Sequence, residues 1–342
     1  LYPDQELFAG DGLHWTGPYK NWNARCAECH ATDFDKNYRP QSRTYSSRQA
    51  EIGVGCEACH GPGEAHLAWA EQGTDPQTRW SGLTGTGFTV DMAAGGETYI
   101  QQCASCHARR EPFEDGNPLP GTQFHDAYRL TTLREGSYHA DGQILDEVYV
   151  YGSFLQSKMY ANGVTCANCH DPHSARLRAS GNGVCTQCHS PAGNPDFPTL
   201  TQKNYDDPAH HFHPVDSDGA ECKNCHMIER DYMVVDGRRD HSFRIPRPDL
   251  WRSTRAPDAC TDCHEDQTPD WAAEAIDRWY PDSENRGPHF GEIIARGRND
   301  LSGSAEDLAA LAEYDALPGI ARATALEMLH PAATPELASR LA

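Results

Sequence analysis

The sequence predicts a mostly irregular chain with short α-helices and very little β-structure, organised around covalently attached groups, and then a distinct α-helical C-terminal region. Three observations lead there. Only 38% of the 342 residues are hydrophobic, against 29 Gly and 23 Pro, and the mean hydropathy is -0.72. Taken alone, that composition is loop-rich. The motif C-x-x-C-H recurs seven times between Cys26 and His264. Beyond His264 the cysteines and lysines stop and helix signals take over.

The motif sets the chemistry. Its copies are Cys26/Cys29/His30, Cys56/Cys59/His60, Cys103/Cys106/His107, Cys166/Cys169/His170, Cys185/Cys188/His189, Cys222/Cys225/His226 and Cys260/Cys263/His264, and they consume all fourteen cysteines. C-x-x-C-H is the attachment site of c-type haem, in which two thiols form thioethers and the adjacent histidine becomes the proximal iron ligand. Zinc knuckles would need cysteine pairs in pairs, and nothing in them requires histidine after every second cysteine. Thiols two residues apart are also poor structural disulfides. Seven haem c groups are therefore expected, with the porphyrins supplying the apolar core that the chain lacks. Fourteen residues separate His170 from Cys185, so those two haems must lie close together.

Taken in order, residues 1–264 read as the haem-binding region and 265–342 as the helical one. Gly61-Pro62-Gly63 hands the chain into a helix carrying His66, and residues 73–96 read as surface loop. A helical run, Glu97 to Gln102, leads into the third motif. Residues 111–123 are Pro/Gly-rich loop, and 143–151 are the best strand candidate. A Pro-rich connector, 191–207, ends at His210-His211-Phe212-His213-Pro214. Asp236 to His241 reads as a turn, followed by an extended segment broken by Pro246 and Pro248. Thr268-Pro269 caps a helix over 270–280, and further helices are expected over 291–298, 304–315 and 318–329. The last two have the look of tetratricopeptide or HEAT-like hairpins, with the alternative of a simple helical cap. Such units stack on neighbours, so the chain is expected to continue past Ala342.

Eleven histidines lie outside the motifs, and seven bis-histidine haems would use seven of them. His14, His66, His139, His173 and His241 are the leading distal candidates, His125 and His289 further ones. One of His210, His211 and His213 is expected to ligate, with His211 or His213 preferred. His330 is not a candidate. His66 and His173 follow their own motifs too closely to round the macrocycle, so each is expected to reach a neighbouring haem.

The formal charge is -21, with 29 Lys+Arg against 50 Asp+Glu. That balance excludes nucleic acid as a partner and suits basic redox proteins. There is no apolar span of membrane length and no leader. Haem attachment occurs beyond the cytoplasmic membrane, so an exported, periplasmic or extracellular protein whose leader has been removed is expected.

With Leu13-His14-Trp15-Thr16-Gly17, Asn21-Trp22-Asn23, Cys56 to Gly63, Val164 to His173 and Arg238 to Phe243 in view, the chain resembles the multihaem c-type cytochromes over about residues 10–265. Within that group it is similar to periplasmic or secreted members fused to C-terminal tetratricopeptide or HEAT-like helices. The resemblance implies a further C-x-x-C-H upstream of Leu1, and so an eighth haem. More distantly it resembles the octahaem hydroxylamine oxidoreductases and pentahaem nitrite reductases. Those enzymes keep one haem open, and nitrite reductases usually replace the motif histidine there by lysine. This sequence departs from that pattern, because every motif ends in histidine and Lys158, Lys203 and Lys223 stand elsewhere.

Two functions follow as expectations. The first is a non-catalytic electron conduit between redox partners or further copies of the chain, its C-terminal helices available for docking. The alternative is a reductase or oxidase of a small nitrogen or sulfur compound at one five-coordinate haem. A scaffold whose haems merely connect is a weaker third. The stoichiometry is testable at once: the intact mass should exceed the polypeptide by seven haems, and thiol reagents should label nothing.

Overall fold

A computed structural model describes residues 6–14, 16–78, 80–232 and 236–341; Trp15 of the resemblance segment lies outside them. Helix accounts for about 40% of the chain and strand for about 10%, so the architecture is mostly helical and irregular. The chain divides into two compact units, Leu1–Leu130 and Thr131–Ala342. Position 264, where the sequence changes character, falls inside the second.

In the first unit the helices are short: Ala27–His30, Glu57–His60, Glu64–Gln72, Gly96–Ala104 and Phe124–Ala127. Three two-stranded antiparallel ladders brace them, Ala31–Thr32 with Glu51–Ile52, Tyr38–Arg39 with Thr44–Tyr45, and Arg110–Pro112 with Tyr128–Leu130. The apolar cluster of Ala27, Ala31 and Phe34 is small. Side-chain clasps on backbone do much of the holding. Asn117 accepts from the Phe34 amide at 2.8 Å and donates to the Glu28 carbonyl at 2.8 Å, while Arg110 meets the Glu28 carboxylate at 2.7 Å. Gly61 ends the Glu57–His60 helix at φ 79°, and a Cβ there would run into Thr89. Both constraints call for glycine.

The second unit has a more conventional core. Thr268 accepts from the Trp271 amide at 3.2 Å and Pro269 opens the helix Pro269–Trp279, as the cap predicted. Phe290–Asn299, Leu301–Glu313 and Gly319–Leu329 follow, with a further helix at Pro335–Leu341. Ile294, Leu308, Ala309, Leu311, Ala312, Ala325 and Leu329 form one buried cluster, and Ala140 from far upstream joins it. The helices are therefore tied to the segment that begins the unit. Thr324 accepts from the Leu133 amide at 2.9 Å, and Arg298 donates to the carbonyls of Leu133 and Tyr138 at 2.8 and 3.1 Å. At Gly291 the helix approaches the backbone so closely that a Cβ would sit 2.6 Å from Asp141 Cα.

Two expectations need correction. The strand at 143–151 does not form. Its buried residues do not alternate, Tyr149 adopts φ 59°, and Tyr151–Phe154 is helical. The Ile144 amide is satisfied by the Asp240 carboxylate at 3.2 Å instead of a ladder partner, and the segment has isolated bridging residues, Ile144 opposite Tyr138 among them, in place of a strand. Conversely, Asp236–Arg239 is a true strand, paired antiparallel with Glu229–Tyr232. Residues 233–235 lie outside the described residues.

The shared core makes a direct prediction. Leu308 is fully buried, so Leu308→Ala should destabilise the second unit by about 2–5 kcal/mol. Leu326→Ala, at a 44% exposed position, should stay within about 0.5 kcal/mol. Denaturant unfolding followed by far-UV circular dichroism distinguishes the two.

Candidate haem sites

Each motif folds as a single helical turn. His60, His107, His189 and His264 donate their amides to the carbonyl of the first motif cysteine, four residues back, at 2.9–3.0 Å, and the His170 amide donates likewise to Cys166. The helices Ala27–His30 and Cys222–His226 give the other two motifs the same local form. One turn brings the two sulfurs and the imidazole to a common side, which is the arrangement a porphyrin edge with iron beneath it requires.

The thiols also report which motifs adjoin. In the free-thiol form Cys29 and Cys106 are hydrogen-bonded; that bond first, then burial, pushes Cys29 up, and it pulls Cys106 down to about 6. Cys185 and Cys222 form the same kind of pair, with Cys185 raised and Cys222 lowered. Burial first, and the neighbouring thiol after it, raises Cys59 (beside Cys106), Cys169 (beside Cys188) and Cys225 (beside Cys222 and Cys263). In the second unit the fourth, fifth, sixth and seventh motifs therefore succeed one another in space as they do in sequence. In the first unit the third motif adjoins both the first and the second.

The histidines meet in pairs. His170 faces His241 with ring centroids 6.3 Å apart and planes 24° from parallel. His226 faces His210 at 6.2 Å and 4°, and His264 faces His213 at 6.2 Å and 33°. With a metal–imidazole bond of about 2 Å on each side and roughly 1 Å from ring nitrogen to centroid, two axial imidazoles on one iron stand roughly 6 Å apart. Among the described residues no three His, Cys, Asp or Glu side chains converge as a conventional metal cluster would need.

Hydrogen bonds at the ring Nδ1 separate the histidines further. An axial ligand that binds through Nε2 keeps its proton on Nδ1 and donates it. His226 Nδ1 donates to the Arg244 carbonyl at 2.6 Å, His241 Nδ1 to the Arg239 carbonyl at 2.9 Å, and His66 Nδ1 to the Thr86 carbonyl at 2.8 Å. His213 Nδ1 donates to the His211 carbonyl. His210 Nδ1 lies 2.8 Å from the Tyr280 hydroxyl, whose own proton goes to the His210 carbonyl. His210 must therefore be the donor at Nδ1.

The opposite tautomer is set at His211, whose Nδ1 accepts from the His213 amide at 3.2 Å. At His289, Nδ1 accepts from the Gly291 amide at 3.1 Å as the N-cap of Phe290–Asn299, and Glu292 closes the capping box. Burial first, with Arg244 after it, pushes His289 down to about 4, so it is neutral at pH 7 with its proton on Nε2.

The remaining candidates are more scattered. His14 Nδ1 is 2.8 Å from the Thr16 hydroxyl and 3.2 Å from the Thr16 amide. His66 stacks on Phe88 at 4.1 Å, and Phe88 also touches His60 at 5.1 Å. His125 is exposed and edges onto Phe124. His139 is partly buried, which depresses its proton affinity. His173 is exposed in the turn between the paired segments His170–Asp171 and Arg176–Leu177. His189 meets the edge of Tyr205 at 5.8 Å.

The bare polypeptide also presents the surface that porphyrins would cover. It exposes 19975 Å², whereas even two separate compact bodies of half its 37.8 kDa would expose roughly 17,000 Å² together. Several exposed apolar side chains flank motifs, among them Ile52 and Val54 before Cys56 and Leu177 opposite His170. Donor set, spacing and apolar surface all fit haem.

Comparison with known proteins agrees. The family described as cytochrome c554 and c-prime matches residues 14–61, and the doubled CXXCH motif family matches 158–194. The chain is a multihaem c-type cytochrome. No curated protein sequence matches this cytochrome. Its fold is similar to the crystal structure of the outer cell wall cytochrome OcwA, with a TM-score of 0.51 and 19% identity over 94% of this chain and 76% of that one. The undecaheme cytochrome from the S-layer of Carboxydothermus ferrireducens aligns with a TM-score of 0.39 and 19% identity, over 94% of this chain and 55% of that one. No described helix of the cytochrome is long and apolar enough to cross a membrane.

Proposed function

We propose that this cytochrome is an electron conduit outside the cytoplasm, carrying seven haem c groups, mostly bis-histidine ligated, between redox partner proteins or further copies of itself. The observation that carries the reading is the set of three histidine pairs: His170 with His241, His226 with His210, and His264 with His213, each at the separation one shared iron requires. Each haem, once bound, supplies a one-electron iron couple. The protein's part is to hold the fourth to seventh motifs in sequence order, so that neighbouring centres adjoin without a gap.

In this reading His30, His60, His107, His170, His189, His226 and His264 are proximal ligands, and His241, His210 and His213 are distal ones. His66, whose Nδ1 is already a donor, is a distal ligand in the first unit. His125, His139 and His173 are retained for the remaining irons, whereas His14, His211 and His289, each accepting a backbone amide at Nδ1, serve the local backbone. The acidic surface suits docking of basic partners, and the outer cell wall setting named for OcwA supports an extracellular location.

A second reading, reductase chemistry at one open haem, is favoured by His189 within the second unit. Its ring contact is the phenol of Tyr205, over which Lys203 sits at 5.7 Å, where the other three motifs of its unit each have a histidine.

Electron paramagnetic resonance of the ferric protein decides between them. His210→Ala, His213→Ala and His241→Ala should each remove one low-spin haem and add one high-spin signal, while His211→Ala and His289→Ala should leave every haem low-spin. A His210→Ala protein with an unchanged spectrum would overturn the ligand assignment. Wild-type protein showing a high-spin haem together with turnover of nitrite or hydroxylamine would favour the reductase.

A further inference from the structure

Within the proposed ligand set, His210 and His213 come from one four-residue stretch yet serve different motifs. That stretch is held by the C-terminal end of the helix Pro269–Trp279. Trp279 stacks on Phe212 at 4.7 Å and 4°, and its edge meets His213 at 6.1 Å. Tyr280, the residue that ends the helix, packs against Phe212 at 5.7 Å and against His210 at 6.1 Å. Its hydroxyl closes a two-point clasp on His210, taking the Nδ1 proton at 2.8 Å and donating to the carbonyl. Phe212 itself is in the left-handed region at φ 56°, a conformation uncommon for a bulky residue and held here from outside.

We propose that Trp279 and Tyr280 form a positioning clamp, a pair of residues that touch no iron but fix the orientation of the axial imidazoles of two successive haems and tune the potential of the one served by His210. The inference rests on the ligand assignment above. Two roles can be separated. The Tyr280 hydroxyl acts on His210 alone: by accepting the Nδ1 proton it makes the imidazole a stronger electron donor and keeps its plane within 4° of His226. Trp279 acts on both histidines through Phe212, whose backbone joins them. A single helix terminus thus sets the axial geometry of the sixth and seventh centres together.

Tyr280→Phe keeps the ring and deletes both hydrogen bonds. The variant should load its full complement of haem, as read by intact mass. One rhombic low-spin signal, the kind near-parallel imidazoles give, should change shape. One midpoint potential should rise, because the ligand loses donor strength, while the others stay. Trp279→Leu should alter two low-spin signals, those of the His210 and His213 haems. Tyr314→Phe, at an exposed position of the same helical region, should be silent. If Tyr280→Phe gives the wild-type spectrum and potentials, or if Trp279→Leu is fully loaded and unchanged, the clamp is wrong while the ligand assignment stands. If Tyr314→Phe moves the same signals, the effect is non-specific and the clamp is likewise wrong. Should Tyr280→Phe fail to load, the Trp279→Leu result decides alone. Wild-type protein without bis-histidine low-spin signals would remove the ligand assignment and the clamp with it.

Discussion

The helical turn of C-x-x-C-H is the constraint from which the rest of the molecule follows. It commits two sulfurs and one imidazole to the same side of the backbone within five residues, and it does so seven times in 239 residues, from Cys26 to His264. A chain so interrupted cannot lay down long amphipathic helices or a broad sheet between motifs. What the described residues form there are helices of at most nine residues and ladders of two to four residues, stitched by side chains that bond to backbone, such as Asn117 across to Phe34 and Glu28. In the first unit the cluster of Ala27, Ala31 and Phe34 is small by the standard of an ordinary domain's core. It becomes reasonable once the attached groups are counted as interior.

The second layer of organisation is protonic. A histidine becomes a useful axial ligand when something accepts the hydrogen bond from its Nδ1–H, and the groups doing so here are mostly backbone carbonyls in loops or at the ends of short elements. The Arg239–Arg244 loop receives from His241 and from His226, so one loop orients histidines of two different sites. The shortness of the elements is what leaves those carbonyls available, at strand and helix ends or in loops, since a carbonyl inside a helix or ladder is already occupied. Irregularity in this chain is thus part of how the sites are built.

Much of this was legible in the sequence, for identifiable reasons. The motifs are local, so spacing alone gives their chemistry. The C-terminal helices carry caps and periodic apolar residues, and Thr268-Pro269 and Leu308 to Leu329 were readable from those. The hairpin Glu229–Tyr232 with Asp236–Arg239 was less so, because its residues are mainly charged and show no alternation of burial. The run at 143–151 misled for the opposite reason: β-branched and aromatic residues are enriched there, but a tertiary contact with Asp240 outweighs local propensity. That His210 faces His226 could not be read at all. Adjacent residues on a turn differ by direction only, and the group that settles His210 is Tyr280, seventy positions away.

The core of the second unit has a consequence for how the molecule is made. Ala140, Leu133 and Tyr138 are enclosed by residues from 291 onwards, so the first-synthesised part of the unit waits for the last. Contacts this distant along the chain form late, after a long loop has been closed. The four motifs between Cys166 and His264 all lie within that loop. Thioether formation needs thiols that a haem can reach, a condition that a chain with this loop still open satisfies.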